Sequence, residues 1–207
     1  DSRDYDYVTR VKNQGMMGIC WSFGAIGAME VNINKNGLSD LGSQIDLSEA
    51  HLGYFHSAEK ANDLGLNPTD AVIPDSDYTF IDDGGSAVLA SLTLAKGIGP
   101  VSESVAPFYP YSYSFVDDIP KDSMYQREYT LNTAVHPMAD DIEGIKKLIY
   151  TQGAASIAYN SGNSDRYDEY VNRYGLSNHM IHIIGYDDTI PKENFDPVPR
   201  MDGAWIV

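Results

Sequence analysis

The chain of 207 residues contains one cysteine and five histidines, the latter at positions 51, 56, 136, 179 and 182. Cys20 follows Val11-Lys12-Asn13-Gln14-Gly15-Met16-Met17-Gly18-Ile19, and after it Phe23, Ile26, Met29 and Ile33 recur at spacings of three and four. That spacing predicts a helix over 20–35, stopped by Asn36-Gly37, with the thiol in its first turn. A thiol there meets unsatisfied backbone N–H groups and the positive end of the helix dipole, which favour thiolate over thiol. Gly15 and Gly18 permit close approach of backbone to whatever the sulfur attacks. The Gln14 amide can donate to an anion forming beside the sulfur. An ordinary thiol, with a pKa of about 8.5, is mostly protonated at neutral pH, so a neighbouring imidazole must take its proton. On these residues alone two readings stand: an activated nucleophile, and a small buried hydrophobe.

Other segments must hold these groups in place. A second helix is expected near Asp46-Leu47-Ser48-Glu49, with Asp46 or Ser48 as its cap, Glu49 completing a capping box with Asp46, and Leu52 and Phe55 inward. His51 and His56 on that helix read as ordinary surface histidines. Residues 57–81 hold two Pro and four Asp and read as an irregular surface excursion. Gly84-Gly85 opens a third helix, with Val88, Leu89, Leu92 and Ala95 inward and Gly97 past its end. A fourth covers 139–152, its Asp140 and Asp141 at the start and Lys146 and Lys147 later, both suited to the macrodipole. Strands are expected at 154–159, 179–186 and 204–207. The first half is therefore mainly helical and the second mainly β, which predicts two lobes with a cleft between them.

Composition removes several classes of function. Lys and Arg total 14 against 30 Asp and Glu, a formal charge of −16, so phosphate backbones and anionic lipid would be repelled. Apolar residues make up 43% of the chain, too many for disorder. No apolar run reaches the roughly 18 residues of a spanning helix. A single Cys excludes a disulfide scaffold and any metal site built on two thiolates. Acidic doublets at 82–83, 117–118, 140–141 and 187–188 lack the spacing of a calcium loop and read as solvated surface. His179 and His182 cannot share a zinc ion, because a strand points them to opposite faces. Neither a metal nor a cofactor is expected.

The run Asn13-Gln14-Gly15-x-x-Gly18-x-Cys20-Trp21-Ser22-Phe23 resembles the nucleophile segment of the papain-like cysteine peptidases. Further likenesses follow in that family's order. They are Asp1-x-Arg3 with Val8-Thr9-x-Val11-Lys12, then Leu47-Ser48-Glu49, Gly84-Gly85, Tyr109-Pro110-Tyr111, and Asn178-His179-Met180-Ile181-His182-Ile183-Ile184-Gly185-Tyr186. The resemblance implies an α+β, two-lobe papain-like fold: a helical lobe over 1–110 and a β-barrel-like lobe over 111–207, with the active site between them. It implies Cys20 as nucleophile, His179 as its base, and the Gln14 side chain with the Cys20 N–H as oxyanion donors. Gly84 and Gly85 would pair an extended peptide, and Ala87 and Met180 would line an apolar pocket. His182 is left to packing or to lining the site. The expected activity is that of a cysteine endopeptidase acting on polypeptides. A catalytically impaired binding or adhesion module and a transpeptidase using the same site are the alternatives. Nucleic-acid binding and membrane insertion are not expected.

The chain also departs from that family. Its usual disulfide positions near the cleft hold Met17, Phe55 and Asp82, which leaves the lobe to be held by packing alone. This implies a bacterial, disulfide-free branch, secreted or on the surface of a Gram-positive cell. Two acidic stretches, 57–81 and 187–202, are longer than the family norm and flank the expected cleft. The Asn that orients the family's histidine lies in a Lys-Asn-Ser-Trp-Gly segment, and the sequence stops at Trp205-Ile206-Val207, where that segment would begin. The expectation is a fragment, joined in the working protein by a C-terminal companion segment and preceded by a propeptide.

Overall fold

A computed structural model describes residues 1–56, 79–162 and 175–207. The chain runs through helices α1 (Cys20–Lys35), α2 (Glu49–Phe55), α3 (Ala87–Ala95), the single turn α4 (Phe115–Asp118) and α5 (Ile142–Gln152). Strands β1 (Ala155–Tyr159), β2 (His179–Ile183), β3 (Gly185–Asp187) and β4 (Ala204–Ile206) follow. Most of the excursion expected over 57–81 lies outside the described residues.

Helix α1 occupies the predicted span and is the central element. Trp21, Ile26, Val31 and Ile33 are buried along it, and it touches three apolar clusters. One gathers Met17, Ile19, Phe55, Ile81 and Phe115; a second gathers Trp21, Ile26, Leu47, Leu52, Leu94 and Met180; the third is small, made of Val31, Ala154 and Ile184.

An ionic knot ties the chain before α1 to the rest of the helical half. The Lys12 ammonium donates to Glu30 of α1 and Glu49 of α2, each at 2.8 Å, and to the Leu47 carbonyl at 2.9 Å. Glu30 is fully buried and also accepts from Leu47 N–H at 2.7 Å and Thr9 Oγ1 at 2.6 Å. Burial alone would discharge Lys12, but the charges of Glu49 and Glu30 outweigh it and raise its pKa. The Glu49 carboxyl is pushed up to about 8, because burial exceeds the pull of that ammonium.

Several expectations change. Ser48 caps α2, accepting from His51 N–H at 2.9 Å. The Asp46–Glu49 capping box does not form: Asp46 pairs instead with Arg10 at 2.7 Å and Lys12 at 3.0 Å. His51 is not a surface residue. It is fully buried, its Nε2 3.0 Å from the Ser123 carbonyl and its ring against Phe55. All seven residues of α2 are buried, so this helix has no solvent face on which a histidine could sit. In α3 the inward residues are Ala90, Thr93 and Leu94, whereas Val88 and Leu92 are more than half exposed. Helix α5 begins three residues later than expected, at Ile142, because Asp141 caps it by accepting from Gly144 N–H at 3.0 Å.

The strands form two antiparallel pairs, β1–β2 and β3–β4. The single strand expected over 179–186 is broken at Ile184, whose N–H turns to Ile206 and whose carbonyl accepts from Ser2. Strand β2 lies against α1 at two glycines. A Cβ on Gly24 would come within 3.0 Å of the Ile181 carbonyl and 3.2 Å of Met180 Cγ, and one on Gly27 would strike the His182 ring. Ser156 of β1 donates to the Gly24 carbonyl at 2.7 Å. His182 is thus a packing residue of this seam.

Candidate active site

Cys20 is the first residue of α1 and is half-buried. Its N-cap is Ile19, which has no side-chain oxygen to bond the first N–H groups. Ser22 N–H turns back to the Ile19 carbonyl at 3.0 Å, which leaves the Cys20 and Trp21 N–H groups without an intrahelical partner. The turn itself is rigid: Ile19 is fully buried, Trp21 is 1% exposed, and Ser22 Oγ donates to the Glu49 carbonyl at 2.9 Å.

The preceding loop is fixed from two sides. Gly15 has φ +63, and a Cβ there would collide with the Pro110 carbonyl; a Cβ on Gly18 would collide with the backbone of Asp82. These glycines make room for the protein's own chain, a different use from the one expected. Asn13 adds a bond from Nδ2 to the Tyr111 hydroxyl at 3.2 Å. Gln14 Nε2 donates to the Met17 carbonyl at 3.0 Å, leaving its second N–H outside that bond.

Asp82 corrects the expectation of packing alone. Met17 and Phe55 do lie in one apolar cluster. Asp82 instead accepts from Gly18 N–H at 2.8 Å and from the Tyr113 hydroxyl, so a hydrogen-bonded carboxylate joins three segments. That bond raises the Tyr113 pKa above the ordinary phenol value. Nothing local in the sequence marks Asp82 for this, since its partners are 64 and 31 residues away.

On the strand side, His179 opens β2 opposite Tyr159, their rings 5.9 Å apart. Burial lowers its pKa. Among the described residues its imidazole makes no hydrogen bond to Cys20 or to any other side chain. Met180 is 5% exposed and belongs to the cluster that Cys20 and Ala87 also touch. Gly84 has φ +77 with open space where a Cβ would stand, and Gly85 lies flat on the Trp21 indole. Cys20, Ala87 and Met180 thus share one apolar cluster with Trp21, on whose indole Gly85 lies; Gln14 is on the loop before α1, and His179 opens β2. His56, expected on the surface, is half-buried and packs edge-on to Trp21, with ring centroids 5.0 Å apart. Among the described residues no group of three His, Cys, Asp or Glu is placed to hold a metal ion, and no helix is long and apolar enough to cross a membrane.

Comparison with known proteins agrees with this architecture. The profile of the papain family cysteine protease family matches residues 1–195. Cysteine proteinase 1 of Dictyostelium discoideum is 27% identical over 99% of this chain and 56% of its own length. Mouse cathepsin S is 24% identical over 90% of this chain and 49% of its own. The chain spans about half the length of these relatives. Among solved structures, the cysteine protease and lectin-like domains of Cwp84, a surface layer associated protein of Clostridium difficile, superpose with a TM-score of 0.71. That alignment covers 99% of this chain and 42% of the other, at 24% identity. The fold is the α+β papain fold, and the chain belongs to the papain family of cysteine proteases.

Proposed function

We propose that the protein is a cysteine endopeptidase whose lobes, 1–110 and 111–207, flank a cleft carrying Cys20 and His179. One observation carries the reading: the chain's only thiol sits on the uncapped first turn of a long buried helix, along which the strand opening with His179 is packed. His179 accepts the Cys20 proton, the thiolate attacks a peptide carbonyl, and the carbonyl electrons move to oxygen. The second N–H of Gln14 and the Cys20 N–H stabilise that oxyanion. Collapse of the intermediate expels the amine, protonated by His179, and water then hydrolyses the thioester with His179 as base. Burial disfavours the imidazolium, so His179 gains its charge only as it takes the Cys20 proton. Gly84 and Gly85 offer backbone to an extended substrate, and Ala87 and Met180 receive an apolar side chain one residue upstream of the residue at the cut.

A secreted or cell-surface location in a Gram-positive bacterium is part of the same proposal; the surface layer association of the Clostridium difficile neighbour supports it. So is maturation by loss of a propeptide, since a clostridial Cwp84 structure is described as following propeptide cleavage.

Alkylation by iodoacetamide tests the core of the reading. Cys20 in the native protein is expected to react far faster than free cysteine at pH 6, and His179→Ala to abolish the difference. Equal rates for the native protein and free cysteine would remove the activated thiolate.

A further inference from the structure

The Gln14 amide is held through a single peptide unit, the one joining Met17 to Gly18. Its carbonyl accepts from Gln14 Nε2 at 3.0 Å, and its N–H donates to Asp82 Oδ1 at 2.8 Å. The second oxygen of Asp82 accepts from the Tyr113 hydroxyl. The order Tyr113 → Asp82 ← Gly18 N–H, then Met17 C=O ← Gln14, is one continuous chain of hydrogen bonds. Peptide planarity makes the middle link stiff: the Gly18 N–H cannot rotate without swinging the Met17 carbonyl away from Gln14. A carboxylate pulling on the N–H also polarises the carbonyl at the other end of the unit and strengthens its hold on the amide.

Resting on the peptidase reading, we propose that Asp82, braced by Tyr113, is a positioning residue for Gln14. Asp82 fixes the plane of the Met17–Gly18 peptide, and through it points the second Gln14 N–H at the site where the oxyanion develops. The surroundings favour this assignment over a purely structural one. Gly15 on Pro110 and the close fit of Gly18 on the Asp82 backbone already pin the loop in space. What the carboxylate adds is the rotation of one peptide, and the only side chain bonded to that peptide's carbonyl among the described residues is Gln14.

The exchange of the Gln14 side-chain protons in the 15N-labelled full chain reads the proposal without any substrate. One proton is expected to exchange slowly in the native protein. Asp82→Ala should bring it to the rate of a free glutamine, while Asp82→Asn, whose side-chain oxygen still accepts from Gly18 N–H, should keep it slow. Unchanged protection in Asp82→Ala overturns the proposal. Should that variant not fold, Tyr113→Phe must still speed exchange, and its failure to do so is equally decisive. With a peptide substrate, Asp82→Ala is expected to lower kcat by about tenfold at nearly constant KM, less than the loss of the oxyanion donor itself. In a Gln14→Ala background it should lower kcat no further. Equal losses in both backgrounds would show that Asp82 acts elsewhere. A native protein that cleaves no peptide ends the peptidase reading, and the exchange measurement still decides whether Asp82 positions Gln14.

Discussion

Cys20 and His179 are held by very different means. On the helical side, Cys20 sits between two fully or nearly fully buried residues, Ile19 and Trp21. The chain leading to it is anchored by Lys12 among Glu30, Glu49 and Asp46. On the strand side, His179 starts a five-residue strand paired to one neighbour, and the adjoining pair β3–β4 has only three residues in each strand. The third apolar cluster, which underlies the strands, has three buried members. The helical side is built on buried side chains and ion pairs, whereas the strand side packs onto α1 at Gly24 and Gly27.

The largest expected difference concerns the ionic knot. Lys12→Met leaves the fully buried Glu30 without its cation, and Glu49 and the Leu47 carbonyl without their donor, and should cost about 3–5 kcal/mol of unfolding free energy, read as a lower denaturant midpoint. Lys146→Met removes the strand-side ion pair with exposed Asp188, where solvent screens the interaction, and should leave the midpoint unchanged. Comparable losses in the two variants would erase the contrast between the halves.

A pH series separates the sides less sharply. Burial lowers the pKa of His51 in the helical half and of His182 in the seam, each to about 4, and the charge of Lys12 adds to the effect on His182. Both folded values lie below the ordinary 6.5, so the unfolded chain takes up the proton first. Stability from the neutral rings is intact above that value and lost as pH falls toward about 4. Against the native protein, His51→Leu should therefore gain about 3 kcal/mol in relative stability between pH 7 and pH 4, measured by urea unfolding. A relative stability that does not change over that interval would show that His51 is not held neutral.

The smallest expected effect is at the seam itself. Gly27→Ala places a methyl group against the His182 ring and should cost about 1–3 kcal/mol. The damage is expected on the strand side, as faster amide exchange in β1 and β2 with α1 unchanged. Equal loosening of α1 would mean that the helix depends on the strands as much as they depend on it.

These contrasts were only partly readable in the amino-acid sequence. The span of α1 was legible because its apolar spacing is regular and Asn36-Gly37 stops it. The strand cores at 155–159 and 204–206 were legible too, and so was the role of His182 in packing. The inward face of α3 was not, since Val88, Leu89, Leu92 and Leu94 surround the helix and no side stands out as polar. His51 was misread because seven consecutive buried residues carry no periodic contrast. The break at Ile184 depends on pairing with Ile206 and Ser2, partners far along the chain. Asp82 is the clearest case. As one of an acidic doublet it reads as solvated surface, and only the fold brings Gly18 and Tyr113 to its two oxygens.

The isolation of Cys20 has a consequence for the protein's life in an oxidising environment. A half-exposed thiol at a helix N-terminus is the kind that peroxide converts to a sulfenic acid. These 207 residues contain no second cysteine to close on it as a disulfide. Recovery must come from a thiol outside this stretch of chain, and without one the oxidation proceeds to sulfinic acid, which is not reversed by thiols. The same isolation means that any thiol-specific label reports on one position within these 207 residues.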